Sequence, residues 1–354
     1  MTQILVIELW NIGDVILAMP FLAALRQHFP SSRIVLLSRG FARELLAGTG
    51  LVDEFLEAKL DWDDRNRGNF VLRLIRTIRT ARVLRRRRFD LVFSARGHKR
   101  ERILLALSGA RQRVNLRRVK PNVSAQPANA PAALNHKVAQ WMALLRPFGF
   151  KGPAPSVALA VSDVERAQAL DFLKAHGWNH SEMVIGIHPG ASRPEKRWPL
   201  ESFKRLASEL AALPGVRVIA FAEPAPGRYG SELFEIPGVV GVDTTLRGLV
   251  ALIQSCDLLI CNDSGPMHIA GALGVPTVAM FGEGISELFG PLGSGHHLLA
   301  PRGGQYFEDG SQRHAIRSPP GIKYDDAWTT VRAALQRVHS QRGSPGATVI
   351  AVQD

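Results

Sequence analysis

The segment 258–282, LLICNDSGPMHIAGALGVPTVAMFG, decides how the rest of the chain is read. Its first four residues are uniformly apolar, as a strand buried on both faces requires, and four polar or turn-forming residues, 262–265, follow. Pro266 then opens a helix over 266–273, Gly274 stops it, and 277–281 is a second buried strand. The result is a strand-turn-helix-strand unit whose turn presents backbone N–H groups and the Ser264 hydroxyl at a helix N-terminus, a place that attracts anions, phosphate above all. Asp263 does not suit a bare phosphate cradle. A carboxylate there has a use if it caps the helix or holds a hydroxyl or amide of the ligand, so the turn points to a nucleotide or sugar-nucleotide.

Outward from this segment, 354 residues with 46% hydrophobic content suffice for two domains with separate cores. The opening ILVI run is short enough to be a first buried strand, and no apolar run reaches the ~18 residues of a membrane span. These features predict a protein that stays in the cytoplasm. Two cysteines, Cys256 and Cys261, fit neither a disulfide framework nor a zinc site and read as small core residues. The balance of 44 Lys and Arg against 31 Asp and Glu, a net charge of +13, implies an anionic partner.

Strands at 4–7, 34–37, 52–55 and 91–94 alternate with helical stretches in the first half, and Gly13 and Asp14 fall at the first strand-to-helix turn. Pro20 lies too deep to open that helix, which predicts a kink or an irregular first turn. The helix over 70–88 carries arginine at 73, 76, 79, 82 and 85–88, and a polar loop, ARGHKRER, and a further basic run at 111–120 follow. Any one arginine reads as solvated; together they read as a binding surface. A Pro-rich loop at 121–131 precedes a helix over 136–145, and the Pro and Gly residues of 147–155 mark the domain boundary. The second half repeats the pattern, with strands at 184–187 and 216–221 and helices at 164–176, 200–213 and 246–256. Residues 301–320 read as irregular, 325–338 as a helix with one buried face, and the residues after about 341 as a tail.

NIGDVILAMPFLAALR near the N-terminus, His136 opening a helix, HPGASRPEKRWP at 188–199 and the 262–282 segment occur in an order and spacing that resemble glycosyltransferase family 9, the ADP-heptose:lipopolysaccharide heptosyltransferases. The resemblance implies an α/β fold of the GT-B class: two Rossmann-like domains facing each other across a cleft, with a C-terminal helix closing the fold. Residues 1–155 would bind the acceptor, 156–324 the nucleotide-sugar, 325–340 would form the closing helix and 341–354 a tail. It implies an inverting, metal-independent transferase without a cofactor. Its donor would be ADP-heptose and its acceptor the anionic lipopolysaccharide core, at the inner face of the cytoplasmic membrane. By motif position Asp14 is the catalytic base, and Ser192, Lys196, Glu223, Asp263, Ser264, Gly265 and His268 bind the donor. Gly13, Arg96, His98, Lys99, Arg100 and His136 fall to the acceptor. Glu8 and Trp10 depart from the family pattern, which often has a Lys or Arg six residues before the base.

Blander readings compete. Asp14 alone is an ordinary helix N-cap, Lys196 a solvated lysine, and His268 a core histidine as readily as a ligand group. His188 lacks metal-binding companions and reads as structural. Three functions follow: the transferase, a sugar-nucleotide epimerase or hydrolase on the same scaffold, and a nucleic-acid-binding protein using the arginine-rich half. The last lacks a helix-turn-helix, an RNP motif, or aromatics among its basic runs.

Overall fold

A computed structural model of the chain describes residues 1–58, 70–116, 136–224, 227–281, 286–300 and 321–342, the side chains of 70–74, 99, 100, 286 and 287 excepted. The expected loop at 121–131, the irregular stretch at 301–320, Arg117, Arg118 and Lys120, and nearly all of the tail lie outside the described residues. The chain forms two compact units, Met1–Ala160 with Glu287–Phe289, and the remainder from Val161.

In the N-terminal unit the order is β1 (Gln3–Ile7), α1 (Ile12–His28), β2 (Arg33–Ser38), α2 (Phe41–Leu45), β3 (Glu54–Glu57), α3 (Phe70–Arg86), β4 (Leu91–Ser94), α4 (Lys99–Leu107), β5 (Gln112–Asn115) and α5 (Lys137–Ala143). The five strands are parallel in the order β3-β2-β1-β4-β5. β1 is central and covered on both faces, which is why its ILVI run shows no polar alternation. On one side Leu5, Ile7, Val35, Leu37 and Val92 pack with Leu84, Phe89 and Leu104. Elsewhere in the unit Phe21 of α1 meets Phe93 and Trp141, ring centroids 5.3 and 4.9 Å apart. α1 starts at Ile12 and contains Pro20 as one uninterrupted helix, not as a helix with an irregular first turn. α4 begins at Lys99, so the second half of the expected polar loop ARGHKRER is helical.

The C-terminal unit runs α6 (Asp163–Ala175), β6 (Met183–His188), α7 (Leu200–Ala211), β7 (Val216–Phe221), β8 (Val239–Val242), α8 (Leu246–Gln254), β9 (Leu258–Asn262), α9 (Gly265–Leu273), β10 (Thr277–Met280), β11 (His296–Leu299) and α11 (Tyr324–Arg342), while the short α10 (Ser286–Phe289), between β10 and β11 in the chain, falls with the N-terminal unit except at Ser286. Its six strands are parallel in the order β11-β10-β9-β6-β7-β8. Trp198, Phe203, Leu206, Ile185, Ile260 and Met280 form the core, and Ala327, Val331, Ala334 and Leu335 of α11 pack into it. The closing helix thus completes the second core. Gly274, in the left-handed region at φ 72°, ends α9 as its position in the sequence predicts.

In each sheet the chain order reverses once beside the first strand, between β1 and β4 and between β6 and β9. At such a switch point the loops leaving adjacent strands diverge to opposite faces and open a crevice at the carboxyl ends, where open α/β sheets bind ligands.

Candidate functional site

Each switch point carries a cluster of charged and polar side chains. At the first, α1 opens on Asn11, and Asp14 in its first turn accepts a hydrogen bond from the Asn11 N–H at 3.1 Å. Asn11, not Asp14, is the N-cap. The other oxygen of Asp14 is ion-paired to Arg96, which follows β4. Both side chains are mostly buried, at 12% and 15% exposure. The Arg96 guanidinium also lies over the Trp10 ring, 4.6 Å from its centroid, and the Trp10 indole N–H donates to Glu101 Oε1 at 2.6 Å. Ser94 Oγ donates to the second Glu101 oxygen at 2.7 Å. Glu8, just past β1, is buried and accepts from the Trp10 backbone N–H at 3.0 Å.

Three carboxyl groups, those of Asp14, Glu8 and Glu101, therefore act on one guanidinium. Burial, and next the Asp14 charge, push the Glu8 carboxyl up to about 8, so that it holds a proton at neutral pH. Burial likewise raises Glu101, against the opposing hydrogen bonds of Ser94 and Trp10. Burial disfavours the Arg96 charge, but Asp14, Glu8 and Glu101 outweigh it and hold its pKa above the ordinary value. Burial and then the Arg96 charge bring the Lys137 amine, at the start of α5, down to about 8. Buried charges this close are stable only when paired, so deleting Arg96 would leave Asp14 beside two further carboxyls at a cost of roughly 3–5 kcal/mol.

At the second switch point Ser264 is the N-cap of α9, with Gly265 first in the helix and Pro266 next to it. Asp263 does not cap the helix; its carboxylate receives the Lys196 ammonium at 2.5 Å and is 4% exposed. The Asp263 N–H donates to the Met280 carbonyl at 3.0 Å, so this residue, just past β9, is still tied to β10, and its side chain meets the loop after β6 through Lys196. That loop is fixed by Asn262, fully buried, which accepts from the Trp198 N–H at 2.9 Å and donates to the Pro189 carbonyl at 2.6 Å. Trp198 is itself buried, its indole N–H on the Ile322 carbonyl at 3.0 Å. Beyond β7, Glu223 accepts from the Arg197 guanidinium at 3.0 Å through both oxygens, and Arg197 lies 4.0 Å from the Tyr229 ring centroid. Gly190 is required beneath this pair, since a Cβ there would stand 2.6 Å from Glu223 Cγ. His188 lies 3.5 Å from Ser264 Oγ, and burial lowers its pKa to about 4, so its ring is neutral at physiological pH.

The structure thus brings together Gly13, Asp14, Arg96 and His98 at the first cluster, where His98 packs edge-on to Trp10 at 5.3 Å. His136 caps α5, its ring accepting from the Val138 N–H at 3.3 Å. Lys99 and Arg100 open α4, but their side chains lie outside the described residues. Lys196, Asp263, Ser264 and Gly265 gather at the second cluster, with Glu223 at the end of β7, Ser192 in the loop after β6, and His268 buried within α9. Sequence reading missed Glu101, Lys137, Arg197 and Asn262, and took Glu8 and Trp10 only as departures. Glu101 sits in a run of basic residues and looks like solvated charge; only the α4 helix, by turning it inward, reveals otherwise. Among the described residues, no group of three or more His, Cys, Asp or Glu could hold a metal ion.

Two parallel-sheet α/β units, each with its polar residues gathered at the switch point, define the GT-B class of glycosyltransferase fold. Solved structures agree. A family 9 glycosyl transferase from Veillonella parvula matches at a TM-score of 0.74 and 23% identity, covering 95% of this chain and 98% of its own. The Escherichia coli ADP-heptose lps heptosyltransferase II matches at a TM-score of 0.72 and 21% identity, covering 96% of this chain and all of its own. In sequence, lipooligosaccharide heptosyltransferase 2 of Campylobacter jejuni is 24% identical over 281 residues, 77% of this chain and 78% of that protein. The profile of glycosyltransferase family 9 (heptosyltransferase) matches residues 77–301, well over half of the sequence. The chain belongs to this family and is a glycosyltransferase.

Proposed function

We propose that this protein transfers a heptose from ADP-heptose to the inner core of lipopolysaccharide, with inversion, at the inner face of the cytoplasmic membrane. Asp14 is the general base. It takes the proton of the attacking acceptor hydroxyl as that oxygen bonds to the anomeric carbon and the bond from that carbon to the diphosphate breaks. The observation that carries the assignment is the setting of Asp14: a carboxylate in the first turn of α1, at a sheet switch point, partly accessible and held in one orientation by the Asn11 N–H and by Arg96. Arg96 thereby acts as a positioning partner of the base as well as an acceptor contact. His98, His136, Lys99 and Arg100 complete the acceptor side, and Gly13 leaves the approach to Asp14 free of a side chain.

The departing diphosphate gains negative charge, and the N-terminus of α9, with Ser264 and Gly265, and Lys196 receive it. Lys196 has three donor hydrogens, so it can keep its bond to Asp263 while donating to a phosphate oxygen. Glu223 is suited to accept from ribose hydroxyls, with Arg197 holding it in place. Ser192, in the loop after β6, and His268, within α9, are the remaining donor contacts of this reading. No metal or cofactor enters this scheme.

Asp14→Ala tests it. With ADP-heptose and a heptose-deficient core acceptor, turnover should fall by about 10²–10⁴-fold while donor affinity by calorimetry stays within about twofold. Near-normal turnover would remove Asp14 from the role. A thermal shift with a uridine nucleotide-sugar but none with ADP-heptose would overturn the donor, and donor cleavage that does not depend on acceptor would make the protein a hydrolase.

A further inference from the structure

Among the described residues of the N-terminal unit, exposed apolar side chains and arginines share one surface. Among the described residues eight large apolar side chains are exposed, and five of them, Ile75, Ile78, Val83, Ile103 and Leu107, lie on α3 and α4, which pack against each other. On α3 the buried residues Ala81 and Leu84 mark the inner face. Helical spacing puts Ile75, Arg79, Arg82 and Arg86 along the opposite face, with Ile78 and Val83 on its flanks. No acidic residue occurs anywhere from 70 to 89. On α4, Arg102, Ile103, Ala106 and Leu107 face outward while Glu101, Leu104 and Leu105 face inward.

We propose that the outer faces of α3 and α4 form a docking surface for an anionic lipid bilayer. Isoleucine, valine and leucine interleaved with arginine is the composition that lies in a membrane interface: the apolar chains enter the acyl boundary and the guanidinium groups meet lipid phosphates. The absence of acidic groups removes the repulsion that an anionic surface would otherwise meet. A nucleic acid fits less well, since no aromatic side chain is exposed among the described residues of these helices for bases to stack on. α4 also ties the surface to the chemistry. Its inner face supplies Glu101 to the network around Asp14 and its outer face supplies Ile103 and Leu107, so one helix of nine residues separates docking surface from base. An acceptor anchored in the bilayer would present its sugars close to that base, which is where the inference rests on the transferase reading; the docking itself does not.

The test is co-sedimentation of the full chain with vesicles of phosphatidylcholine alone or mixed with phosphatidylglycerol, without donor or acceptor. Wild-type protein should bind the mixed vesicles, more weakly at high salt, and bind phosphatidylcholine poorly. Replacing Arg79, Arg82 and Arg86 together with Gln should weaken partitioning by about 100-fold, taking about fivefold for each arginine. Ile75→Ser with Ile103→Ser and Leu107→Ser should weaken it about tenfold or more even at low salt. Val164→Ser, at the most exposed apolar position of the other unit, should change nothing. All these side chains are exposed, so melting temperatures should be unaltered, and turnover with a soluble delipidated acceptor should persist. Wild-type protein that ignores anionic vesicles, triple variants that bind them like wild type, or variants that lose binding to homopolymeric RNA while keeping vesicles would each overturn the proposal. A chain that docks without transferring heptose would refute the proposed function and leave the docking surface standing.

Discussion

Replacing Glu8 with Gln should make the protein more stable above about pH 4.5, and increasingly so toward alkaline pH. The carboxyl is 1% exposed and its proton is held to about 8 by burial and by the Asp14 charge, whereas in the unfolded chain it would titrate near 4.5. Below pH 4.5 both states are protonated and Glu8 costs nothing relative to its neutral isostere. Between 4.5 and 8 the unfolded chain releases the proton and the folded chain keeps it, so the folded state binds more protons and stability falls as pH rises. At about 1.4 kcal/mol per pH unit the full penalty approaches roughly 5 kcal/mol above pH 8. The side-chain amide of the Glu8→Gln variant keeps an oxygen for the Trp10 N–H and never ionises. Urea unfolding of the two proteins should give similar stabilities at pH 4.5 and a gap that widens steadily toward pH 8.5, by several kcal/mol in the transition containing the N-terminal unit. Differencing cancels the titration of the groups that do not interact with Glu8. Parallel pH profiles, or a gap that opens toward acid, would refute the burial argument and with it the picture of a neutral Glu8 beside the Asp14–Arg96 pair.

The remaining predictions concern the second cluster. Asn262→Ala removes one acceptor and one donor from buried backbone groups of Trp198 and Pro189, and should lower stability by about 2–4 kcal/mol, seen as a fall in melting temperature of roughly 5–10 °C. Gly190→Ala would set a Cβ against both Glu223 and the buried His188 ring; by pushing Glu223 off Arg197 it should lower donor affinity by calorimetry about tenfold, with the fold checked by circular dichroism, and unchanged affinity would detach Glu223 from the donor. The depressed pKa of His188 makes the opposite linkage to Glu8: between pH 4 and 6.5 the unfolded chain holds the proton, so stability rises with pH across that window, by roughly 3 kcal/mol. His188→Gln should flatten that rise, and an equally steep acid limb in the variant would show that the ring is not buried neutral.

How much could be read from the chain without its structure depended on where each element lies. The central strands β1, β6, β9 and β10 are covered on both faces and therefore write uninterrupted apolar runs, and the helix stop at Gly274 and the α9 start have fixed residue preferences; these were legible. Of the edge strands, β3 was read two residues early, whereas β5, β8 and β11, with sequences QRVN, VVGV and HHLL, were not read; an edge strand buries less, and QRVN and HHLL carry few of the apolar residues that mark a strand. The arginine-rich character of α3 was visible, yet its pairing of outward arginine with outward isoleucine needed the helix to be packed before its two faces could be told apart.

By itself the sequence determined the class of fold and the family, and it singled out the candidate site residues, since buried periodicity, turn chemistry and the four family motifs are all local properties of the chain. Only the tertiary structure decided what those residues are bonded to. Arg96 reaches Asp14 across 82 positions, Lys196 reaches Asp263 across 67, and Glu101, buried beneath Trp10, stands 91 residues from it. Such pairs form because parallel strands with helical crossovers bring distant loops to one end of a sheet, and burial then requires every charge delivered there to find a partner. Asp263, which the sequence offered as a helix cap, became the anchor of a lysine for that reason.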